Sequence, residues 1–273
     1  MKDIKIIMCD LDGTLLDENE RLTTKTIQTI RRMKDKGYLF GLATGRPMCS
    51  VEKLISQFKV NDVIDMVVAL NGGYIKDYVL QKEEYHYLID GQLIKKVVQH
   101  FDGFAVNFGV YLDDYLAVMY DDVLAKRLAL SDQIPYQVVD FDKIYKSQQS
   151  KLIVITDPMN MERVASHGRL FYDPQLKSLQ AGKIEYEYMH PQLSKSFGLN
   201  QICEWHHLTL ENMLAFGDAD NDADMIKNAG IGVAMANGSE LTRSYADAVT
   251  LSHQDDGVAE YLQKYMLGDS HDE

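Results

Sequence analysis

Cysteine is scarce in this chain. Its three cysteines, Cys9, Cys49 and Cys203, are odd in number, far apart and without a CxxC pair, so they indicate neither a disulfide framework nor a zinc site. A reducing compartment fits them best. Proline is equally sparse, at five residues, and no stretch is of low complexity, which excludes a disordered or linker-like protein. Positive charge is also short. Against 41 Asp and Glu stand 28 Lys and Arg, a formal net charge of -13, and no basic run offsets it locally. Such a field repels nucleic-acid phosphates and anionic lipid, so neither nucleic acid nor membrane is an expected partner. No apolar run approaches membrane-spanning length, and Ile4 to Cys9 is broken by Lys5 and stopped by Asp10, too short for a signal segment. The expected location is cytoplasmic.

What is present is a globular composition, 46% hydrophobic and 25% charged over 273 residues. That length exceeds the roughly 100 to 200 residues of a typical domain, and two domains are expected. Any small anionic ligand would meet the same repulsion as a polyanion. A bound cation or a local positive charge must therefore overcome it wherever such a ligand binds.

Ile4 to Cys9 reads as a buried strand that ends in a polar turn, Asp-Leu-Asp-Gly. Between Thr24 and Lys36, Ile27, Ile30 and Met33 recur at helical spacing, and Gly37 supplies the stop. Strand Leu39 to Ala43, a helical stripe from Val51 to Phe58 and strand Met66 to Leu70 complete a βαβαβ pattern. The alternation resumes with helix Ser196 to His206, strand Asn212 to Phe216, helix Asp222 to Asn228, strand Ile231 to Met235 and helix Asp256 to Tyr265. It implies an α/β fold, a Rossmann-like doubly wound parallel sheet. The middle, about Gln81 to His190, differs. Ala105 to Tyr111, Leu116 to Tyr120 and Lys151 to Thr156 read as strands, separated by helices near Leu93 to His100 and Met159 to His167. Ten of the 16 tyrosines fall there, which favours half-buried antiparallel strands. The expected organisation is a core of residues 1–82 and 189–273 with an inserted α+β domain at 83–188.

In an open parallel sheet, ligands bind beyond the carboxyl ends of the strands. The residues in those places are Asp10-Leu11-Asp12-Gly13-Thr14, Thr44-Gly45-Arg46 and Gly217-Asp218-Ala219-Asp220-Asn221-Asp222. Several carboxylates at one edge repel one another unless a hard cation sits among them, and oxygen donors without His or Cys suit Mg2+. Asn71-Gly72 is a common turn pair and reads as a hairpin. His206 and His207 stand at a helix end, where termination explains them better than metal binding. Asp218, Asp220, Asp222 and Asp224 alternate as in a calcium-binding EF-hand, but Ala223 and Ala229 occupy the positions where that loop needs Gly and Glu.

Read with Lys195, these clusters resemble, in order, the four motifs of the haloacid dehalogenase superfamily of phosphatases. The long insertion, with Asn71-Gly72 ahead of it and Gly232-Val233-Ala234-Met235-Ala236-Asn237 near the end, resembles the Cof-type branch with its large α/β cap. The resemblance spans nearly the whole chain. It implies hydrolysis of a small phosphorylated metabolite, a sugar phosphate or a phosphorylated cofactor, with a substrate-specifying cap. Asp10 is then the nucleophile that forms an aspartyl phosphate, and Asp12 the general acid and base. It further implies Mg2+ held by Asp10, the carbonyl of Asp12 and Asp218, with Asp222 ordering the site, and phosphate contacted by Leu11, Thr44, Gly45, Lys195 and Asn221. Ser196 departs from the Gly often found after the third-motif lysine. A phosphotransferase using the same aspartyl phosphate and a non-catalytic phosphometabolite-binding protein are the alternatives.

Overall fold

The structure, a computed structural model, describes residues 3–269. They form two compact units. The first comprises the described residues up to Gly45, Leu54–Glu84 and the described residues from Ser194 onward; the second comprises Arg46–Lys53 and Tyr85–Leu193.

In chain order the strands are β1 (Ile6–Cys9), β2 (Leu39–Ala43), β3 (Met66–Ala69), β4 (Tyr74–Asp77), β5 (Lys82–Tyr85), β6 (Asn107–Leu112), β7 (Tyr115–Val118), β8 (Tyr136–Val138), β9 (Lys151–Ile155), β10 (Lys177–Gln180), β11 (Glu185–Met189), β12 (Met213–Gly217), β13 (Ile231–Ala234) and β14 (Ala248–Val249). The larger sheet runs β14-β13-β12-β1-β2-β3-β4-β5. From β14 to β3 every pairing is parallel; β4 returns antiparallel to β3. The chain winds outward from β1 through β2 and β3, then from β12 the other way. The reversal falls between β1 and β12, the kind of switch point where such sheets bind ligands. Here β1, β3 and β12 are buried at every position, as strands covered on both faces must be. Ile6, Met8, Val68 and Ala215 pack with Leu199 and Ile202 of helix Lys195–Trp205 in one core cluster, each fully buried Ile or Leu contributing about 2 kcal/mol.

The smaller sheet runs β10-β11-β9-β6-β7-β8 and is antiparallel except for β7 with β8. Val110, Val154 and Tyr188 pack with Leu93 and Val97 of helix Gly91–His100 and with Val164 of helix Met161–Gly168. Leu116, Val118 and Ile153 pack with Leu128 of helix Val123–Ser131 in a separate cluster. As period-two packing requires, Ile153 and Val154 thus belong to different clusters.

The expected elements are present with ends shifted by a few residues, and one shift matters: the helix expected from Ser196 begins at Lys195, capped by the Ser194 side chain, which accepts from Phe197 N–H at 3.1 Å. The final helix is α-helical over Gly257–Tyr261 and continues as a wider π turn over Leu262–Leu267. Among the described residues, no helix is long and apolar enough to cross a membrane.

Candidate active site

The first motif leaves β1 at Asp10, which is 5% exposed. Its N–H still belongs to the sheet, donating to Phe216 C=O at 3.0 Å. The chain then coils through Leu11–Leu15, with Leu11 buried and Asp12 exposed. Gly13 makes this turn possible: its φ is +84°, and a Cβ there would lie 2.5 Å from Asp218 Oδ2. Thr14 Oγ1 donates to Asp218 Oδ1 at 2.8 Å. Thus the motif after β1 and the motif after β12 lock together over β1 and β12, which pair directly.

Lys195 is the centre of the constellation. Only 1% exposed, its Nζ donates to Asp10 Oδ1 at 2.5 Å and to Asp222 Oδ1 at 2.5 Å. The other Asp222 oxygen, Oδ2, accepts from Asp218 N–H at 3.0 Å and Ala219 N–H at 2.9 Å. Asp222 therefore orients both the lysine and the loop that carries Asp218. Ser196, where the family pattern often has Gly, is tied down on both sides: its N–H donates to Asp224 at 3.4 Å and its Oγ accepts from Asn228 at 3.0 Å.

The remaining phosphate candidates stand at the same sheet edge. Thr44, 1% exposed, follows β2 and donates its N–H to Val68 C=O at 2.8 Å; Gly45 comes next. Asn221 is exposed and donates through Nδ2 to Asn71 Oδ1 at 3.2 Å. Asn71 and Thr14 also bond into this site, and the sequence alone assigns neither a role in it. Asn71-Gly72 reads as a turn pair, and Asn71 does lie in the β3–β4 hairpin. The expectation that His206 ends its helix also holds, and its ring bonds Asp77 at 2.5 Å.

Charge is unbalanced at the centre. Burial, and then the neighbouring Asp222, push the Asp10 carboxyl well above its usual range despite Lys195. Burial pushes Asp218 up to about 6, with the Thr14 hydrogen bond opposing. Burial alone would lower Lys195, but Asp10 and Asp222 outweigh it and hold the ammonium above its ordinary value. Three carboxylates thus face one ammonium. Asp10, Asp218 and Asp222 each offer an oxygen, all within 4.8 Å of one another. Hard oxygen donors at this spacing and an excess of negative charge fit a divalent cation such as Mg2+.

A parallel sheet with a buried Asp–Lys–Asp centre at its switch point has the form of an enzyme site for anionic substrates. The family model for haloacid dehalogenase-like hydrolases matches residues 7–262, and the chain belongs to that family. It is 26% identical over 276 residues to the 5-amino-6-(5-phospho-D-ribitylamino)uracil phosphatase YitU of Bacillus subtilis, covering 96% of this chain and 97% of that one. It is likewise 26% identical over 288 residues to the pyridoxal phosphate phosphatase YbhA of Escherichia coli, covering 96% and 99%. In fold it is similar to a solved haloacid dehalogenase-like hydrolase from Bacteroides thetaiotaomicron, with TM-score 0.86, 24% identity and coverage of 96% and 99%. The chain is accordingly an enzyme of the phosphatase class.

Proposed function

We propose that the chain hydrolyses a small phosphorylated metabolite, a sugar phosphate or a phosphorylated cofactor, with Mg2+ and through an aspartyl phosphate on Asp10. The observation that carries this reading is Lys195 gripping buried Asp10 while Asp218 and Asp222 stand close by. The relatives named for a phosphorylated ribityl compound and for pyridoxal phosphate support the substrate class.

Asp10 and Asp218, with the carbonyl of Asp12, would hold the metal, and Asp222 would order them. Once bound, Mg2+ supplies positive charge against the phosphoryl oxygens. Phosphate is received by the amides of Leu11 and Gly45, the Thr44 hydroxyl, Lys195 and Asn221, a preorganised set of donors suited to phosphoryl transfer. A carboxylate oxygen of Asp10 attacks phosphorus, the bond from phosphorus to the ester oxygen breaks, and the Asp12 carboxyl protonates the departing oxygen. Asp12, now a carboxylate, takes a proton from water as that water attacks phosphorus. The bond to Asp10 breaks, and inorganic phosphate leaves. Exposed Asp12 beside buried Asp10 suits this division, one group shielded for attack and the other open to water. Choice among substrates is assigned to the inserted unit, and the cytoplasm is the proposed location.

The test is phosphate release from a panel of sugar phosphates, nucleotides, pyridoxal phosphate and a chromogenic ester, with Mg2+ or chelator. Release that requires Mg2+ and differs among esters supports the proposal. No release from any ester by folded, Mg2+-loaded protein contradicts it.

A further inference from the structure

The turn after β3 is unusual. Leu70 and Asn71 both have φ of +53°, and Gly72 follows at +95°. Three successive left-handed residues, one of them Leu, are costly, and such backbone is kept where the surroundings demand it. A hairpin needs no carboxamide directed away from its own turn. Yet the Asn71 side chain, 7% exposed, bonds none of its neighbours in sequence: its Oδ1 accepts from Asn221, 150 residues further on, at 3.2 Å. Its Nδ2 lies 3.3 Å from where a Cβ on Gly45 would stand. The backbone N–H of Asn71 donates to Thr44 C=O at 3.0 Å. On the far side, Gly72 packs so closely on the start of the Lys195 helix that a Cβ would lie 2.4 Å from Ser194 C=O.

One short turn therefore touches the Thr44-Gly45 loop, Asn221 and the segment that opens with Lys195. Asn221 itself is exposed, and an exposed carboxamide samples many rotamers unless something holds it. We propose that Asn71 is a positioning residue for the phosphate pocket: it fixes the Asn221 carboxamide against the Thr44-Gly45 loop, so that these donors are in place before the phosphoryl group arrives. This rests on the reading of Asn221, Thr44 and Gly45 as phosphate contacts. Asn suits the position because it tolerates left-handed backbone and its side chain reaches Asn221; Gly would satisfy the first demand only.

The experiment is a double-mutant cycle on the full chain with Asn71→Gly, Asn221→Ala and both together, assayed with para-nitrophenyl phosphate. Competitive inhibition by inorganic phosphate and thermal melting are read for each. Asn71→Gly keeps the backbone conformation and removes the carboxamide, and Asn71→Ser removes its reach independently. The expected result is phosphate inhibition and KM about tenfold weaker in Asn71→Gly, with Tm little changed, and a double variant no worse than Asn221→Ala alone. Losses that multiply in the double variant, or an unchanged inhibition constant in both Asn71 variants while Asn221→Ala is impaired, overturn the positioning role and leave the phosphate reading intact. If Asn221→Ala is itself unaffected, the reading of Asn221 fails, and the role of Asn71 fails with it.

Discussion

Lys195 and Asp222 meet at 2.5 Å, with side chains 1% and 0% exposed. Asp222 spends its second oxygen on two backbone amides, so the lysine is held by a carboxylate that is itself held. Removing one partner of a buried pair strands the other, at a cost of about 3 to 5 kcal/mol. Lys195→Met leaves both Asp10 and Asp222 without their cation. The expected outcome is a Tm lower by roughly 10 °C and activity reduced by at least about 100-fold, read by thermal melting and phosphate release. An unchanged Tm contradicts this account of the centre.

Asp218 titrates near 6, chiefly because it is buried. To serve as a metal ligand it must lose its proton, so at this carboxyl Mg2+ competes with H+ chiefly below about pH 6. Mg2+ affinity, measured by calorimetry, should be at least about tenfold weaker at pH 5 than at pH 7. Asp218→Asn should bind Mg2+ weakly at every pH.

Gly13 turns the chain at a φ of +84° and leaves room for Asp218, 2.5 Å from its would-be Cβ. Gly13→Ala strains the backbone, by about 1 to 3 kcal/mol, and displaces the Asp218 carboxylate. Lower Tm together with weaker Mg2+ binding is expected. A variant with lower Tm and native Mg2+ affinity would show that the carboxylate had not moved.

The second unit carries a separate pH response. Burial, and then the nearby Glu187, push Glu185 up to about 7 from its ordinary 4.5. A carboxyl whose folded pKa is raised favours the folded state while protonated, so its contribution is complete below about pH 4.5 and is lost as pH rises to 7. Glu185→Gln mimics the protonated form. It should melt like wild type near pH 4.5 and more stably at pH 8, by on the order of 1 to 2 kcal/mol. An equal difference at both pH values contradicts the assignment.

Much of the core was legible in the sequence because its signals are local. β1 and β3 are short apolar runs bounded by polar turns, the helices carry apolar stripes at helical spacing, and the motifs stand directly after strands. Family resemblance, confirmed by the match over residues 7–262, supplied roles that spacing alone does not carry. What escaped depends on distant partners. The strand Glu185–Met189 alternates glutamate with tyrosine, but nothing local shows that a glutamate on its other face is buried: Glu187 pairs with Lys151, 36 residues away, at 2.5 Å. Thr14 and Asp218 are 204 residues apart. Asn71 was visible as a turn, and its carboxamide partner was not.

The most direct test of the central claim, that Asp10 carries the phosphoryl group, is rapid acid quench during turnover of a phosphate-labelled aryl ester. Wild type should hold label on the peptide containing Asp10, in a bond cleaved by alkali, and folded Asp10→Asn should hold none and release no phosphate. Steady release from wild type with no label on that peptide at any quench time, or wild-type release from Asp10→Asn, would contradict it.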